Sequence, residues 1–307
     1  MAKLKTWIKA ARLRTVLLSF SGVLLGAFLA AQTKFFYPGP ILFAALTAIL
    51  LQVLCNLAND YGDFKSGVDG ANRVGPQREM QSGEITEKEM KRGIAVATLL
   101  CLASGGLLLF AFFVAHVAVV PHYRFLLSLS FLIVLGIGAI LAALFYTLGK
   151  RPYGYRGLGD LFCFLFFGWA AVAGTYFLAT PILDFSVLLP ASAMGFLSNA
   201  VLNINNMRDI ENDRASGKNS LVVRIGLKKA FVYHCLLIGG AFVCLAVYLV
   251  LHHAPWYSYL FMLLLPLFVK DLIAIKTTNH ELLDPFLGQQ VRNTFLLILV
   301  FGVLVLV

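Results

Sequence analysis

Two groups of carboxylates and carboxamides in this 307-residue chain have spacings that suit cation chemistry. The first runs Asn56-Leu57-Ala58-Asn59-Asp60-Tyr61-Gly62-Asp63, with Asp69 six residues further on. The second runs Asn206-Met207-Arg208-Asp209-Ile210-Glu211-Asn212-Asp213. Asn56, Asp60 and Asp63 are separated by four and three residues, which puts them on one face of a helix. Asn199, Asn203, Asn206, Asp209 and Asp213 are separated by four, three, three and four, which predicts one continuous polar stripe. Asp69 lies beyond Gly67 and is placed to fold back toward the first cluster. Mg²⁺ favours a few carboxylates completed by phosphate oxygens. Two such ions, one per cluster, would neutralise a diphosphate and stabilise it as a leaving group. A lone Asp at a helix end is usually a cap or a solvated acid. Two aligned Asn/Asp stripes closing apolar segments are different, because polar groups are costly in lipid and normally face a bundle interior or a water-filled cavity.

Basic side chains complete the set. Tyr146 and Lys150 are four residues apart, next to Arg151, while Arg73, Arg78, Arg208 and Lys218 lie in two long polar segments. Arg matches phosphate or carboxylate with a two-pronged fork. Topology alone accounts for any one of these cations; the Tyr-x-x-x-Lys pairing beside two acid clusters is what gives Lys150 weight. Gly75-Pro76 and Gly83 suit turns in the first polar segment. Among 26 Phe and 11 Tyr, most belong to core or lipid-facing surface, and some suit a pocket for an isoprenoid tail or the face of a carbocation.

The elements that must position these residues are membrane spans. The chain is 60% hydrophobic and only 13% charged, about half the charged share of a soluble domain. Its apolar residues come in runs of about 20, enough to cross a hydrocarbon core. Nine spans are expected, over roughly 15–32, 40–58, 94–115, 125–146, 160–180, 187–206, 230–251, 256–275 and 291–307. The fifth and sixth are separated by a short turn at Pro181, and Pro266 interrupts the eighth. The first span follows Lys3, Lys5, Lys9, Arg12 and Arg14 and is read as retained rather than cleaved. With the N-terminus in the cytoplasm, only Lys34 and Arg124 of the 25 Lys and Arg fall on the outer side, a positive-inside pattern. Of the 15 acids, only Asp184 does. The formal charge of +10 is thus a basic face beside anionic lipid, and nucleic acid is not needed to explain it. The long segments 59–93 and 207–229 form caps on that side of a single domain, 1–307. Short connections elsewhere predict an all-α bundle with a cytoplasm-facing central cavity. The clusters, about 150 residues apart, each follow a helix of similar length, which hints at internal duplication. Cys55, Cys101, Cys163, Cys235 and Cys244 fall inside spans as small core residues, and the six His lack zinc-site spacing.

The N-D-x-x-D cluster after the second span, Y-x-x-x-K after the fourth and D-x-x-x-D after the sixth together resemble the UbiA superfamily of intramembrane prenyltransferases, over essentially the whole chain. Asn56 to Asp63, Gly75-Pro76-Gln77-Arg78, Met80-Gln81-Ser82-Gly83 and Ala11-Arg12-Leu13-Arg14-Thr15 are similar to the 1,4-dihydroxy-2-naphthoate branch of that superfamily. One departure is the six-residue step from Asp63 to Asp69, where many members space their acids by four. The resemblance implies a Mg²⁺-dependent transfer of a polyprenyl group from polyprenyl diphosphate to 1,4-dihydroxy-2-naphthoate, with decarboxylation to demethylmenaquinone, in a bacterial-type plasma membrane. Asp60, Asp63, Asp209 and Asp213 would then hold the metal, one pair of acids for each of two ions. Asn56 and Asn59 would support the first cluster and Asn206 the second. Lys150, Arg151, Arg73, Arg78 and Lys218 would touch phosphate or the acceptor carboxylate, with Tyr146 near the reacting allyl carbon. Other acceptors, such as 4-hydroxybenzoate or homogentisate, fit the same metal chemistry. An ion-coupled transporter fits less well, because its carboxylates sit at the midplane rather than at helix ends. An intramembrane aspartyl protease needs two Asp sharing a proton, not several Asp flanked by Asn.

Overall fold

A computed structural model describes residues 2–69 and 74–307. Among them, nine helices are long and apolar enough to cross a membrane, and no strand occurs. The molecule is an integral membrane protein with an all-α fold. The order is α1 (Leu4–Ala11), α2 (Leu13–Ala31), α3 (Gly39–Lys65), α4 (Glu87–His116), α5 (His122–Phe145), α6 (Gly159–Cys163), α7 (Gly174–Ala179), α8 (Leu188–Arg208), α9 (Ile210–Ala215), α10 (Leu221–Leu251), α11 (Leu265–Thr277) and α12 (Asp284–Leu306). A wide-turned π segment, Phe164–Ala173, joins α6 to α7 as one span, and a 3-10 stretch, Trp256–Leu264, precedes α11.

The expected spans are all present, but several helices run further than their apolar cores. α3 continues from residue 58 to Lys65, α4 starts at Glu87 rather than 94, and α12 starts at Asp284 rather than 291. The intrahelical ladder does not stop where the lipid does, because water and caps sustain the emerging turns. Thr86 shows this at α4: its side chain accepts from Glu89 N, while the Glu89 carboxylate accepts from Thr86 N at 3.1 Å, a reciprocal cap. Pro266 sits in the first turn of α11, where a missing N–H costs nothing, so the eighth span changes helix type there instead of ending. Gly226 breaks α10 with φ 77°, so the spanning part begins beyond it. The basic N-terminal arm, which precedes the first expected span, folds as α1. It ends at Arg12, whose φ is 51°.

Three buried clusters organise the bundle, and two of them carry the helices that lead into the acidic sequences. One joins α3, α4 and the loop between them through Leu54, Leu57, Met80, Ile85 and Met90. The other surrounds α8 and includes Leu25, Met194, Leu197, Ile204, Leu245 and Leu297. Lipid supplies no hydrophobic drive for helix association, so close contact of small residues matters. Gly168 illustrates it: a Cβ there would lie 2.6 Å from the Ala191 carbonyl oxygen, so the π segment touches α8 backbone to backbone. α3 and α8, one from each cluster, end in the two acidic sequences.

Candidate active site

Asp60 and Asp63 lie on the last turns of α3, each 2% exposed. Arg78 reaches back from the following loop. Its Nη1 lies 2.8 Å from Asp63 Oδ2 and 3.1 Å from Asp69 Oδ2, and donates to the Asn59 carbonyl at 3.0 Å. Asp69 does fold back: its N–H donates to the Asp63 carbonyl at 3.2 Å. The helix end is closed by Ser66, whose hydroxyl donates to the carbonyls of Gly62 and Asp63, and by Gly67 at φ 77°. Both devices satisfy carbonyls that a helix terminus leaves unpaired.

The second cluster is built on the same turn. Ser216 donates to the carbonyls of Asn212 and Asp213 at 2.8 and 3.1 Å, Gly217 has φ 75°, and Lys218 N–H donates to the Asp213 carbonyl at 2.8 Å. Asp-x-x-Ser-Gly thus recurs as sequence and as geometry, at Asp63–Gly67 and Asp213–Gly217. The acids preceding it differ. Asp209 has φ −95° and ψ 9°, so α8 stops at Arg208 and α9 resumes at Ile210. The continuous polar stripe expected from spacing is therefore divided. Its first part turns to α10, where Asn203 donates to the Ala230 carbonyl at 3.0 Å and Asn199 to the Tyr233 hydroxyl at 3.5 Å. Arg208, 2% exposed, holds Asp209 with Nε at 2.8 Å and Nη2 at 2.7 Å, and reaches Asp284, which Arg14 also grips through two nitrogens.

The two clusters meet through Tyr155. Its hydroxyl donates to Asp63 Oδ1 at 2.6 Å, and its carbonyl accepts from Asn219 N at 3.0 Å. Lys218 Nζ lies 3.2 Å from Asp213 Oδ1 and 5.9 Å from the centre of the Tyr155 ring. Asn212 adds a second link, donating to the Val68 carbonyl at 2.8 Å. Burial alone would lower the Lys218 pKa, but Asp213 and Asp63 outweigh it and hold the ammonium charged. Burial, then the Asp63 charge, raises the Tyr155 phenol, which stays a donor.

The other sequence candidates fall in three places. Asn56 braces the α1–α2 joint: its amide donates to the Ala11 carbonyl at 2.8 Å and Thr15 Oγ1 at 3.0 Å. Asn59 accepts from Thr147 at 3.3 Å. Both therefore hold the frame around the carboxylates. Tyr146 and Asn206 line a small pocket beside Lys218. Lys150 and Arg151 are exposed on the turn after α5, and neither is among the cations paired with the acids. Their four-residue spacing from Tyr146 predicts a shared helical face, but α5 ends at Phe145 and the chain turns away. Arg73 lies outside the described residues. Spacing missed Tyr155, Arg12 and Asp160. Arg12, at the α1–α2 joint, is close enough to act on the charges of Asp60 and Asp63. Asp160, an acid opening an apolar span, carried the same signal as the two clusters.

Burial leaves Asp60 Oδ1, Asp213 Oδ2 and Asn206 Oδ1 without hydrogen-bond partners. All three are acceptors, and buried acceptors without donors are costly. A hard divalent cation meets that need, so the donor set fits Mg²⁺. Among the described residues no three carboxylate, His or Cys side chains converge to chelate an ion alone. That suits a cation completing its shell with oxygens from a bound phosphate.

Known proteins resemble this chain in sequence and in fold. Residues 19–281 match the model of the UbiA prenyltransferase family. The chain is 42% identical to 1,4-dihydroxy-2-naphthoate octaprenyltransferase of Escherichia coli K12, over 98% of this chain and 95% of that protein. Its fold is that of a UbiA homolog from Aeropyrum pernix K1 in its apo form, with TM-score 0.63, 18% identity and 96% of each chain covered. A UbiA homolog from Archaeoglobus fulgidus, bound to GPP and Mg²⁺, superposes with TM-score 0.59 at 15% identity, covering 98% of this chain and all of the other. Motifs, fold and nearly full-length identity agree: the chain belongs to the UbiA prenyltransferase family.

Proposed function

We propose that this protein transfers a polyprenyl group from polyprenyl diphosphate to 1,4-dihydroxy-2-naphthoate, with loss of the acceptor carboxylate as CO₂, giving the hydroquinone demethylmenaquinol, which a separate two-electron oxidation converts to demethylmenaquinone. The observation that carries the chemistry is the pair of unpartnered carboxylate oxygens, Asp60 Oδ1 and Asp213 Oδ2, on two clusters joined through Tyr155. The naphthoate acceptor is supported by the relative of that activity across the full chain.

Asp60 and Asp63 would hold one Mg²⁺ and Asp209 and Asp213 a second. Mg²⁺ bound there supplies Lewis-acid stabilisation of the diphosphate's developing charge. The chain's own groups do the rest. Arg78 and Lys218 place fixed positive charge beside the diphosphate oxygens as the allylic C–O bond breaks and its electron pair leaves with them. Tyr155 keeps Asp63 oriented and links the two halves. The ring carbon of the acceptor then gives an electron pair to the allylic carbon. The breaking bond to the carboxylate returns its pair to the ring as CO₂ departs. Burial of the carboxylates excludes bulk water, which would otherwise capture the cation. Tyr146 and Tyr153, edge to face at 5.3 Å, offer aromatic surface beside the same site.

The positive-inside pattern supports a cytoplasmic N-terminus, a site opening to the cytoplasm, and one domain capped by the segments 59–93 and 207–229, in a bacterial plasma membrane. The test uses purified protein in detergent with Mg²⁺, labelled polyprenyl diphosphate, and either 1,4-dihydroxy-2-naphthoate or 4-hydroxybenzoate. Lipid-soluble product and CO₂ from the naphthoate alone, abolished by EDTA, are expected. Product from 4-hydroxybenzoate alone would move the acceptor; no product from either would remove the transferase reading.

A further inference from the structure

Asp160 is a buried carboxylate that the diphosphate chemistry does not use. It opens α6 at 9% exposure, at the end of an apolar span. Its Oδ1 accepts from the Tyr233 hydroxyl at 3.1 Å, and it makes no ion pair with a described cation within 4 Å. A buried carboxylate held by a phenol and no cation is expensive in such a place and calls for a reason. It lines the small pocket that also touches Tyr146, Asn206 and Lys218, so one wall of that pocket belongs to the second acid cluster. Two glycines let the chain pack closely against Tyr146 at the edge of this narrow pocket. A Cβ on Gly154 would lie 2.7 Å from the Tyr146 carbonyl oxygen, and one on Gly159 would lie 3.4 Å from the Tyr146 hydroxyl. Asn206, 4% exposed, adds an acceptor oxygen with no donor on the same wall. The pocket is therefore lined by the acceptors of Asp160 and Asn206, bordered by the Tyr146 ring and shared with Lys218, one of the two cations proposed to meet the diphosphate.

We infer that Asp160 binds a ring hydroxyl of the aromatic acceptor, accepting its hydrogen bond and drawing electron density toward the carbon that is prenylated. This rests on the proposed aromatic prenyl transfer and names the residue that selects a hydroxylated ring. A negatively charged acceptor polarises an O–H bond and makes the conjugated ring carbon a better nucleophile. Tyr233, with Asn199 behind it, aims the carboxylate, so Tyr233 is a positioning residue. Lys218 lines the same pocket, so the hydroxyl and the leaving group would meet at one site.

The experiment compares the full chain and its Asp160→Asn variant in detergent with Mg²⁺, using 1,4-dihydroxy-2-naphthoate and its two monomethyl ethers. A charge-assisted hydrogen bond in a buried site predicts that wild type loses about 10- to 100-fold in kcat/KM with one of the two ethers. Asp160→Asn loses a similar factor on the parent acceptor, and its preference for the parent over that ether falls close to one. Labelled polyprenyl diphosphate binding by the variant, unchanged, reports that it is folded. If binding is lost, Tyr233→Phe is read instead: a reduced ether preference supports the inference and an unchanged one overturns it. Transfer by Asp160→Asn within twofold of wild type overturns it, as does a loss of transfer that leaves the ether preference intact. Absence of product from wild type with every naphthoate would instead remove the functional reading underneath.

Discussion

The ends of α3 and α8 are two versions of one device, and they differ in how they tie their acids. α3, and the short α9 that follows α8, both finish in Asp-x-x-Ser-Gly with a serine on the last carbonyls and a left-handed glycine. In each, one carboxylate is firmly held and another keeps a free oxygen. At α3 the tied acid is Asp63, gripped by Arg78 and Tyr155, and the free oxygen belongs to Asp60. At α8 the order is reversed: Arg208 ties Asp209, and Asp213 keeps the free oxygen. A helix break at Asp209 accompanies the reversal. Asp60 and Asp63 fit one helix, whereas Asp209 and Asp213 straddle a break. The cations differ too. A guanidinium spans Asp63, Asp69 and a backbone carbonyl, while an ammonium meets Asp213 alone. An arginine fork organises several acceptors at fixed geometry, and a lysine acts as a mobile point charge. Asp63 thus meets a rigid fork and Asp213 an adaptable ammonium, while Asp209 beside it is held by the Arg208 fork.

That contrast breaks most completely at the two free oxygens. Asp60→Asn and Asp213→Asn should each lower prenyl transfer by about 10²- to 10³-fold, with membrane insertion intact, in the labelled-diphosphate assay. Full activity in either variant would mean that one cluster suffices. Arg78→Lys should cost more in kcat than Lys218→Arg, by about tenfold, because only the fork spans three acceptors; equal losses would erase the rigid-versus-adaptable distinction. Tyr155→Phe removes the hydroxyl that joins the halves and should lower kcat/KM about tenfold with little change in melting temperature. Gly62→Ala puts a Cβ 2.8 Å from the Thr147 carbonyl oxygen, so the end of α3 must shift. Detergent-solubilised thermal unfolding should report about 1–3 kcal/mol lost. The smallest effect sharpens the likeness: Gly67→Ala and Gly217→Ala meet open space but hold φ 77° and 75°. They should cost the same, about 1 kcal/mol each.

Much of the fold and part of the site are legible in the sequence, for identifiable reasons. Long apolar runs admit few alternatives to helices in lipid, because every backbone polar group must be satisfied within the segment. Hence nine spans follow from composition, and acids at their ends stand out. Individual side-chain roles follow less directly. Asn56 shares a face with Asp60, yet α1 folds beneath it and takes its amide through the Ala11 carbonyl. Lys150 follows Tyr146 at helical spacing, but the helix ends one residue before Tyr146. Tyr155 has no periodic pattern to mark it, since it sits in a short 3-10 turn between spans.

The sequence by itself determined the membrane-spanning segments, the two acid clusters and their suitability for Mg²⁺-type chemistry, since hydropathy and residue type are local properties. It also contained the duplicated Asp-x-x-Ser-Gly turn. Only the tertiary structure decided which acid of each cluster is tied and which keeps an oxygen free, and that Tyr155 and Asn212 bring the two ends together. Those links join residues 92 and 144 positions apart. No local rule fixes them, because each hydrogen bond is chosen by the backbone that packing happens to bring within about 3 Å.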